Sequence, residues 1–114
     1  MTLEEFYQDV GGSYEKVLSR LCSAALIARF VQKYTQDPTF AQLQEALAAQ
    51  DWETAFRASH TLKGMAANLG FDRMYDKASA LTEAMRGPKP LTESSLWQAV
   101  QEEQERLLTD IRSL

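Results

Sequence analysis

His60, the only histidine of the chain, lies in a short run whose residue types suit the transfer of a phosphoryl group. On a helix surface its nearest neighbours are the residues three and four positions further on, which are Lys63 and Gly64. A neutral imidazole is a nucleophile, an ammonium group neutralises phosphoryl oxygens, and glycine leaves room for an approaching donor. Because glycine costs about 1 kcal/mol relative to alanine within a helix, we expect Gly64 to serve access or close packing rather than helix stability.

Neighbouring residues on the same helix face extend this candidate site. Arg57 precedes His60 by three positions, so we expect it to join Lys63 in binding the phosphate. Phe56 lies beside this polar spot and is a candidate docking anchor, although a partly buried packing role is an equal alternative. The predicted partner-docking residues are Phe56, Gly64, Ala67 and Asn68.

The helical phase of the segment predicts that the imidazole faces solvent. The apolar residues of this helix recur at intervals of three, four and seven, and they are Ala55, Ala58, Leu62, Met65, Ala66 and Leu69. His60 is two positions from Leu62, which places it about 200° around the helix and nearly opposite this stripe. An exposed histidine is also common on ordinary surfaces, so spacing alone leaves open a surface residue with no function.

The composition is that of one soluble globular domain, which we assign to residues 1–114. Apolar residues make up 45% and charged residues 25% of the chain, and the formal net charge of −4 disfavours nucleic-acid binding. No apolar run is long enough to cross a membrane, and the acidic N-terminus does not resemble a secretory signal, so we expect a cytoplasmic protein. A single cysteine, Cys22, and a single histidine provide no zinc site, and we expect Cys22 to be buried.

Glycine and proline divide the chain into helices, and no strand pattern competes. A first short helix should end at Gly11-Gly12, Ser13 should cap a second, and Asp37-Pro38 should open another after a longer apolar stretch. The central helix is predicted from an N-cap at Asp51 to Leu69, with Gly70 as its left-handed terminator.

Two further helices complete the predicted fold. The first should bury a stripe that includes Tyr75 and should end at Gly87, and the second should be capped by Thr92. The run Gln101–Arg106 is interpreted as a solvated face of the last helix. Because the connection at Gly70 is very short, the two long helices should lie side by side and antiparallel. The predicted fold is all-α, an antiparallel up-and-down four-helix bundle with additional short N-terminal helices.

The segment His60-Thr61-Leu62-Lys63-Gly64 resembles the H-x-L-K-G core of the histidine-containing phosphotransfer (HPt) domains of multistep two-component phosphorelays. Residues 65–70 continue it with small residues and a helix-ending glycine, and a looser resemblance runs from about Leu21 to the C-terminus. The phosphoacceptor domain of sensor kinases is less similar. It has an acidic residue directly after its histidine and a proline soon afterwards, whereas here the next proline is Pro88.

This resemblance implies a signal-transduction phosphoprotein in which His60 reversibly accepts a phosphoryl group from a receiver-domain aspartate and passes it to another receiver. Lys63 would hold the phosphoryl group and Gly64 would admit the active-site loop of the partner. The implied partners are response-regulator receiver domains, a hybrid sensor kinase, or both. Mg²⁺ would belong to the receiver and not to this chain.

The chain carries no P-loop and no kinase motif, so we expect a phosphocarrier without its own ATP site rather than an enzyme. We also expect a monomer, without cofactor or metal, and the initiating Met1 favours a freestanding protein. The alternative function is a helical protein–protein interaction module without covalent phosphotransfer. General acid–base catalysis by His60 is the least favoured reading, because the sequence marks no partner acid.

Overall fold

The computed structural model describes residues 1–114, and every regular element in it is an α-helix. In chain order the helices are α1 (Leu3–Asp9), α2 (Tyr14–Leu21), α3 (Ala24–Tyr34), α4 (Thr39–Ala48), α5 (Trp52–Leu69), α6 (Asp72–Ala84) and α7 (Ser95–Arg112). The prediction of an all-α protein is confirmed. No helix combines the length and the hydropathy that crossing a bilayer requires.

Helix α5 carries His60 and is the most extensively packed element of the fold. It lies against α4 and α6, α6 lies in turn against α7, and α3 makes a smaller contact with α5. Buried apolar side chains from all the helices form one continuous core. The particle is elongated, with extents of 40 × 23 × 20 Å. The candidate site therefore lies on the central helix of an extended core.

Most of the predicted helix boundaries are confirmed by hydrogen bonds at the caps. Ser13 and Asp51 accept hydrogen bonds from backbone N–H groups in the first turns of α2 and α5. Gly70 ends α5 in the left-handed conformation, with φ of 73°. Helix α4 begins one residue later than predicted, because Pro38 occupies the N-cap while the carboxylate of Asp37 accepts from the N–H of Thr39 at 2.8 Å.

Two predicted helix boundaries are wrong. Helix α7 begins at Ser95 and Thr92 does not cap it, because the chain enters the helix through a turn in which Leu96 N–H donates to the carbonyl of Glu93 at 3.2 Å. Helix α6 ends at Ala84 rather than at Gly87. In its last turn the backbone hydrogen bonds join residues three positions apart instead of four. This tighter pattern ends the α-helix before Gly87.

For two side chains the prediction of burial or exposure is wrong. Cys22 is exposed because it ends α2 in the left-handed conformation, with φ of 67°, which turns it away from the core. Glu103 is fully buried within the run interpreted as a solvated face, because it lies three residues after Val100 and four before Leu107 on the buried stripe of α7. Its carboxylate is neutralised by three cations: Arg73 at 2.8 Å, Arg106 at 3.2 Å and Lys77 at 3.4 Å.

The N-terminal helices bind the C-terminal end of α5. The hydroxyl of Tyr7 donates to the carbonyl of Leu69 at 2.7 Å, and the guanidinium of Arg20 donates to the carbonyl of Ala67 at 3.1 Å. These bonds satisfy carbonyls that the end of a helix leaves without intrahelical partners. Gly12 comes so close to Gly70 that a Cβ atom on Gly12 would lie 2.0 Å from the Gly70 carbonyl oxygen. Helices α1 and α2 are therefore fastened to the turn that follows the helix of His60.

Candidate functional site

Helix α5 presents His60 to solvent, as its helical phase predicts. The side chain of His60 is exposed, whereas Ser59 and Leu62 on either side of it are buried, at 0% and 1% exposure. The N-cap at Asp51 and the terminator at Gly70 fix the ends of the helix, so His60 stands near the middle of an 18-residue rod. The imidazole is open to a partner from the solvent side.

A buried hydroxyl pair joins α5 to α6 directly behind the imidazole. The Thr82 hydroxyl oxygen lies 3.0 Å from that of Ser59 and 2.7 Å from the carbonyl oxygen of Ala78, and Ser59 donates to the carbonyl of Phe56 at 2.9 Å. Both side chains are fully buried, and buried hydroxyls need such partners. The contact fixes the register of the two helices, so that the residues following the pair emerge on the same side.

Phe56 is a neighbour of both the imidazole and a guanidinium group. Its ring centroid is 6.4 Å from that of His60, and the two rings are nearly parallel, with an angle of 14° between their planes. The guanidinium carbon of Arg86 lies 5.3 Å from the Phe56 centroid. Phe56 is partly buried and packs against the core, so it has the packing role that the sequence left open and also borders the site.

Lys63 carries a positive charge without a carboxylate partner. It takes part in none of the ion pairs of the chain, and its ammonium lies 5.7 Å from the centroid of the Tyr75 ring. Tyr75 itself is 37% exposed, so the prediction that it belongs to the buried stripe of α6 is wrong. The outward position of Tyr75 lets its ring face hold the ammonium of Lys63 by a cation–π contact. Lys63 is thus close to His60 in sequence and available to an anion.

Arg57 is directed toward a different partner. It lies on the exposed face of α5, and its guanidinium pairs at 3.7 Å with Glu53, which is one turn further from His60 than Arg57 itself. Both side chains are about 70% exposed, at 69% and 70%, so this ion pair is weak. The guanidinium that reaches the Phe56 ring beside the imidazole is that of Arg86, which the sequence analysis did not single out.

The remaining predicted docking residues surround an open surface. Gly64 is exposed, and a Cβ atom placed on it would meet nothing within 4 Å, so the glycine fills no packing role within this chain. Ala67 is partly buried and Asn68 is exposed. Asn68 also borders an open groove of about 490 Å³, whose other lining residues include Phe30 and Met65. The structure therefore places clearance and a groove next to each other on one side of α5.

An ion pair at the C-terminal end of α6 lies close to this surface. The Glu83 carboxylate accepts two hydrogen bonds from Arg86, from Nη2 at 2.6 Å and from Nε at 2.9 Å. These bonds lower the pKa of Glu83, and the positive charges of Lys63 and His60 lower that pKa further. The same carboxylate raises the pKa of Arg86. Glu83 is thus close enough to Lys63 and to the imidazole for their charges to reach it.

Glu83 and Arg86 were missed because one lies in the next helix and the other just after its end. His60 and Glu83 lie at similar distances along the chain from the turn at Gly70, so the predicted antiparallel pairing was the signal that could have found them. No group of three or more histidine, cysteine, aspartate or glutamate side chains is arranged to hold a metal ion.

Comparison with known proteins places this geometry in a family. A family model described as Hpt domain matches residues 25–113, which include His60, helices α4 to α7 and all but the first residue of α3. The searches of curated proteins and of solved structures return no match to the chain. Hpt domains are phosphotransfer histidine modules that act as phosphocarriers and interact with receiver domains and kinases in phosphorelays. The match covers most of the sequence, and the chain belongs to the Hpt domain family.

Proposed function

We propose that this chain is a phosphorelay carrier in which His60 accepts a phosphoryl group from a receiver-domain aspartate and passes it to another receiver. The single observation that carries the proposal is the exposed imidazole of His60, beside the unpaired Lys63 and the open surface at Gly64, within a family of phosphotransfer modules. The receiver and kinase partners, the monomeric state, the cytoplasmic location and a single Hpt unit over residues 1–114 are parts of the same proposal.

The transfer step needs only a nucleophile, positive charge and an open approach. The unprotonated ring nitrogen of His60 attacks phosphorus, the nitrogen–phosphorus bond forms, and the bond from phosphorus to the aspartyl oxygen breaks, which regenerates the carboxylate of the donor. Transfer onward reverses these changes on the aspartate of the next receiver. Phosphoryl transfer is governed chiefly by positioning and by neutralisation of charge, and Mg²⁺ bound to the receiver supplies part of that charge.

Lys63 supplies the positive charge on this side of the complex. Its ammonium has no carboxylate to leave, and a cation–π contact with Tyr75 holds it less strongly than an ion pair would. A flexible ammonium follows the phosphoryl oxygens as the group moves between partners. The guanidinium of Arg57 is directed toward Glu53, which lies seven residues before His60, so its proposed contribution is the smaller of the two.

We propose an antiparallel up-and-down bundle of α4, α5, α6 and α7 as the scaffold. The successive helix contacts support this arrangement, because α4 packs on α5, α5 on α6 and α6 on α7. Phe40 of α4 stacks on Trp97 of α7 with ring centroids 5.3 Å apart, and this contact joins the first and last helices of the bundle. The short N-terminal helices add to one end of this scaffold through their bonds to the last turn of α5.

The proposal is tested by mixing the chain with receivers that have been phosphorylated on aspartate, in the presence of Mg²⁺. Wild type should take up the phosphoryl group and His60→Gln should not. Lys63→Ala should slow uptake by about tenfold, since a charge-assisted phosphate contact is lost, whereas Lys89→Ala, an exposed lysine in the loop before α7, should transfer at the wild-type rate. Uptake by His60→Gln would contradict the proposal. Stable binding of a receiver by wild type without any transfer would instead favour the interaction module.

A further inference from the structure

Arg86 and Glu83 form an ion pair on the exposed surface. The two oxygens of Glu83 accept from Arg86 at 2.6 and 2.9 Å, and each side chain is 56% exposed. Water therefore solvates both groups whenever they separate, and this limits the cost of breaking the pair. A second anion nearby, with more charge than a carboxylate, would compete with Glu83 for the guanidinium.

The ion pair lies near the imidazole, because Phe56 is a neighbour of both Arg86 and His60. The guanidinium carbon of Arg86 lies 5.3 Å from the centroid of the Phe56 ring, and the His60 ring is also a neighbour of Phe56, at 6.4 Å and nearly parallel to it. Arg86 and His60 therefore share Phe56 as a neighbour, and the long side chain of Arg86 can reorient toward the imidazole. Glu83 lies close enough to feel the charges of both His60 and Lys63.

A phosphoryl group on His60 would change the balance of charge at this place. It brings up to two negative charges and three acceptor oxygens, by analogy with other phosphorylated side chains. A guanidinium binds such a group through two parallel hydrogen bonds, whereas an ammonium acts as a point charge. The same phosphoryl group would repel the carboxylate of Glu83.

We propose that Arg86 exchanges partners during the phosphorylation cycle, from the carboxylate of Glu83 in the free chain to the phosphoryl oxygens on phosphorylated His60. This inference rests on the proposed function, since it requires a phosphoryl group on His60. Glu83 competes for the guanidinium and repels the phosphoryl group, so it keeps the phosphohistidine ready to give up its phosphoryl group. Arg86 has the opposite effect, because it stabilises the phosphohistidine. The two residues together set the fraction of chain that is phosphorylated at equilibrium with a receiver.

The first test uses phosphoramidate, a small donor that phosphorylates exposed histidine without any receiver. Nitrogen-15 spectra of the arginine Nε groups are recorded before and after labelling. The Arg86 signal should shift when His60 is labelled, and the signal of Arg112, an exposed arginine in the last turn of α7 that bonds to Thr109, should not. An unmoved Arg86 signal on labelled chain, or a chain that phosphoramidate fails to label at His60, would overturn the exchange.

The second test measures the fraction of phosphohistidine at equilibrium with a receiver and Mg²⁺. Glu83→Gln should raise that equilibrium about fivefold, Arg86→Met should lower it about fivefold, and the control Arg112→Met should change it less than twofold. All of these residues are exposed, so circular dichroism should show unchanged folding. Equal effects of Arg86→Met and Arg112→Met would contradict the exchange. If phosphoramidate labels His60 and the Arg86 signal shifts, but no receiver takes up the phosphoryl group, the proposed relay function fails while the exchange stands.

Discussion

The hydroxyl oxygens of Ser59 and Thr82 lie 3.0 Å apart at the interface of α5 and α6, with both side chains fully buried. The residues that follow them in the sequence, His60 and Glu83, are both exposed. One polar contact within an apolar interface thus fixes the register of the two helices directly beneath the candidate site. Sliding either helix by a turn would separate the hydroxyls and remove Glu83 and Arg86 from the vicinity of the imidazole.

Thr82→Val should destabilise the fold, because valine keeps the shape of threonine but loses the hydroxyl contact with Ser59. The expected loss in the free energy of unfolding is about 1 kcal/mol. Thr61→Val is the matched control, since the exposed Thr61 also bonds to the carbonyl four residues earlier, at 3.0 Å, without bridging two helices. Urea unfolding measures both variants, and equal midpoints would show that the buried pair does not hold the helices together.

Gly64→Ala should stabilise the free chain and impair transfer from a receiver. The new Cβ meets nothing within 4 Å, and alanine is favoured over glycine in a helix by up to about 1 kcal/mol. Labelling by phosphoramidate should be unchanged because that donor is small, whereas transfer from a receiver should slow about tenfold or more as the methyl group meets the partner. Gly64→Leu should slow the transfer further and keep the fold. Wild-type transfer rates in both variants would show that clearance at Gly64 is not needed.

Gly12→Ala should be strongly destabilising, although Gly64→Ala, which also replaces a glycine by alanine, should be stabilising. Its Cβ would lie 2.0 Å from the Gly70 carbonyl oxygen and 3.3 Å from Cδ1 of Tyr7, so the turn after α1 would have to move away from the turn after α5. We expect a loss of about 2 kcal/mol or more. Chemical denaturation compared with Gly64→Ala checks this. A stability equal to that of wild type would mean that the N-terminal helices do not pack on the end of α5 as described.

The carboxyl group of Asp110 should make the stability of the chain depend on pH. Burial, a hydrogen bond with Asp9 and repulsion from the charge of Asp9 together raise its pKa to about 6, although the positive charge of Arg73 opposes them. Its Oδ2 atom is buried without a hydrogen-bond partner. Because the folded chain holds this proton more tightly than the unfolded chain, the stabilising contribution is complete below about pH 4 and is lost as the pH rises through about 6.

Asp110→Asn should remove this dependence and raise the free energy of unfolding at pH 7 by up to about 1 kcal/mol, once solvent screening is allowed for. The measured quantity is the difference between variant and wild type in urea unfolding from pH 4 to pH 7, which should grow with pH. Taking the difference cancels the opposite slope of acids with lowered pKa values, such as Asp51 and Glu83. Asp76→Asn, an exposed carboxylate on α6, is the control and should show a constant difference. A constant difference for Asp110→Asn would contradict the assignment.

Much of the helical framework follows from local signals that can be read in the sequence. Ser13, Asp51 and Gly70 are predicted caps whose chemistry acts within a few residues, and each acts as predicted. The exposure of His60 follows from helical phase alone. Thr92 shows the limit of such signals, since a capping residue does not cap when the backbone turn beside it already supplies an acceptor.

The parts of the site that could not be predicted depend on contacts between helices. Tyr75 was assigned to a buried stripe, but the packing of α5 on α6 turns it outward to Lys63. The sequence of α7 alone predicts that Glu103 faces solvent. Its burial depends on cations from α6 that lie beside its carboxylate in the folded chain. Arg86 lies 26 residues from His60 in the sequence, and it reaches the neighbouring Phe56 ring because α5 and α6 pack together in the register that the buried hydroxyl pair marks. No periodicity within one helix carries that information.

The measurement that tests the central claim most directly is the location of the phosphoryl group after the chain has reacted with an aspartyl-phosphorylated receiver and Mg²⁺. Mass spectrometry of peptides kept at neutral pH, together with phosphorus NMR of the intact chain, identifies the modified atom. We expect one phosphoryl group on a ring nitrogen of His60 and none on His60→Gln. A phosphoryl group found on any other residue, or carried equally by His60→Gln, would contradict the account.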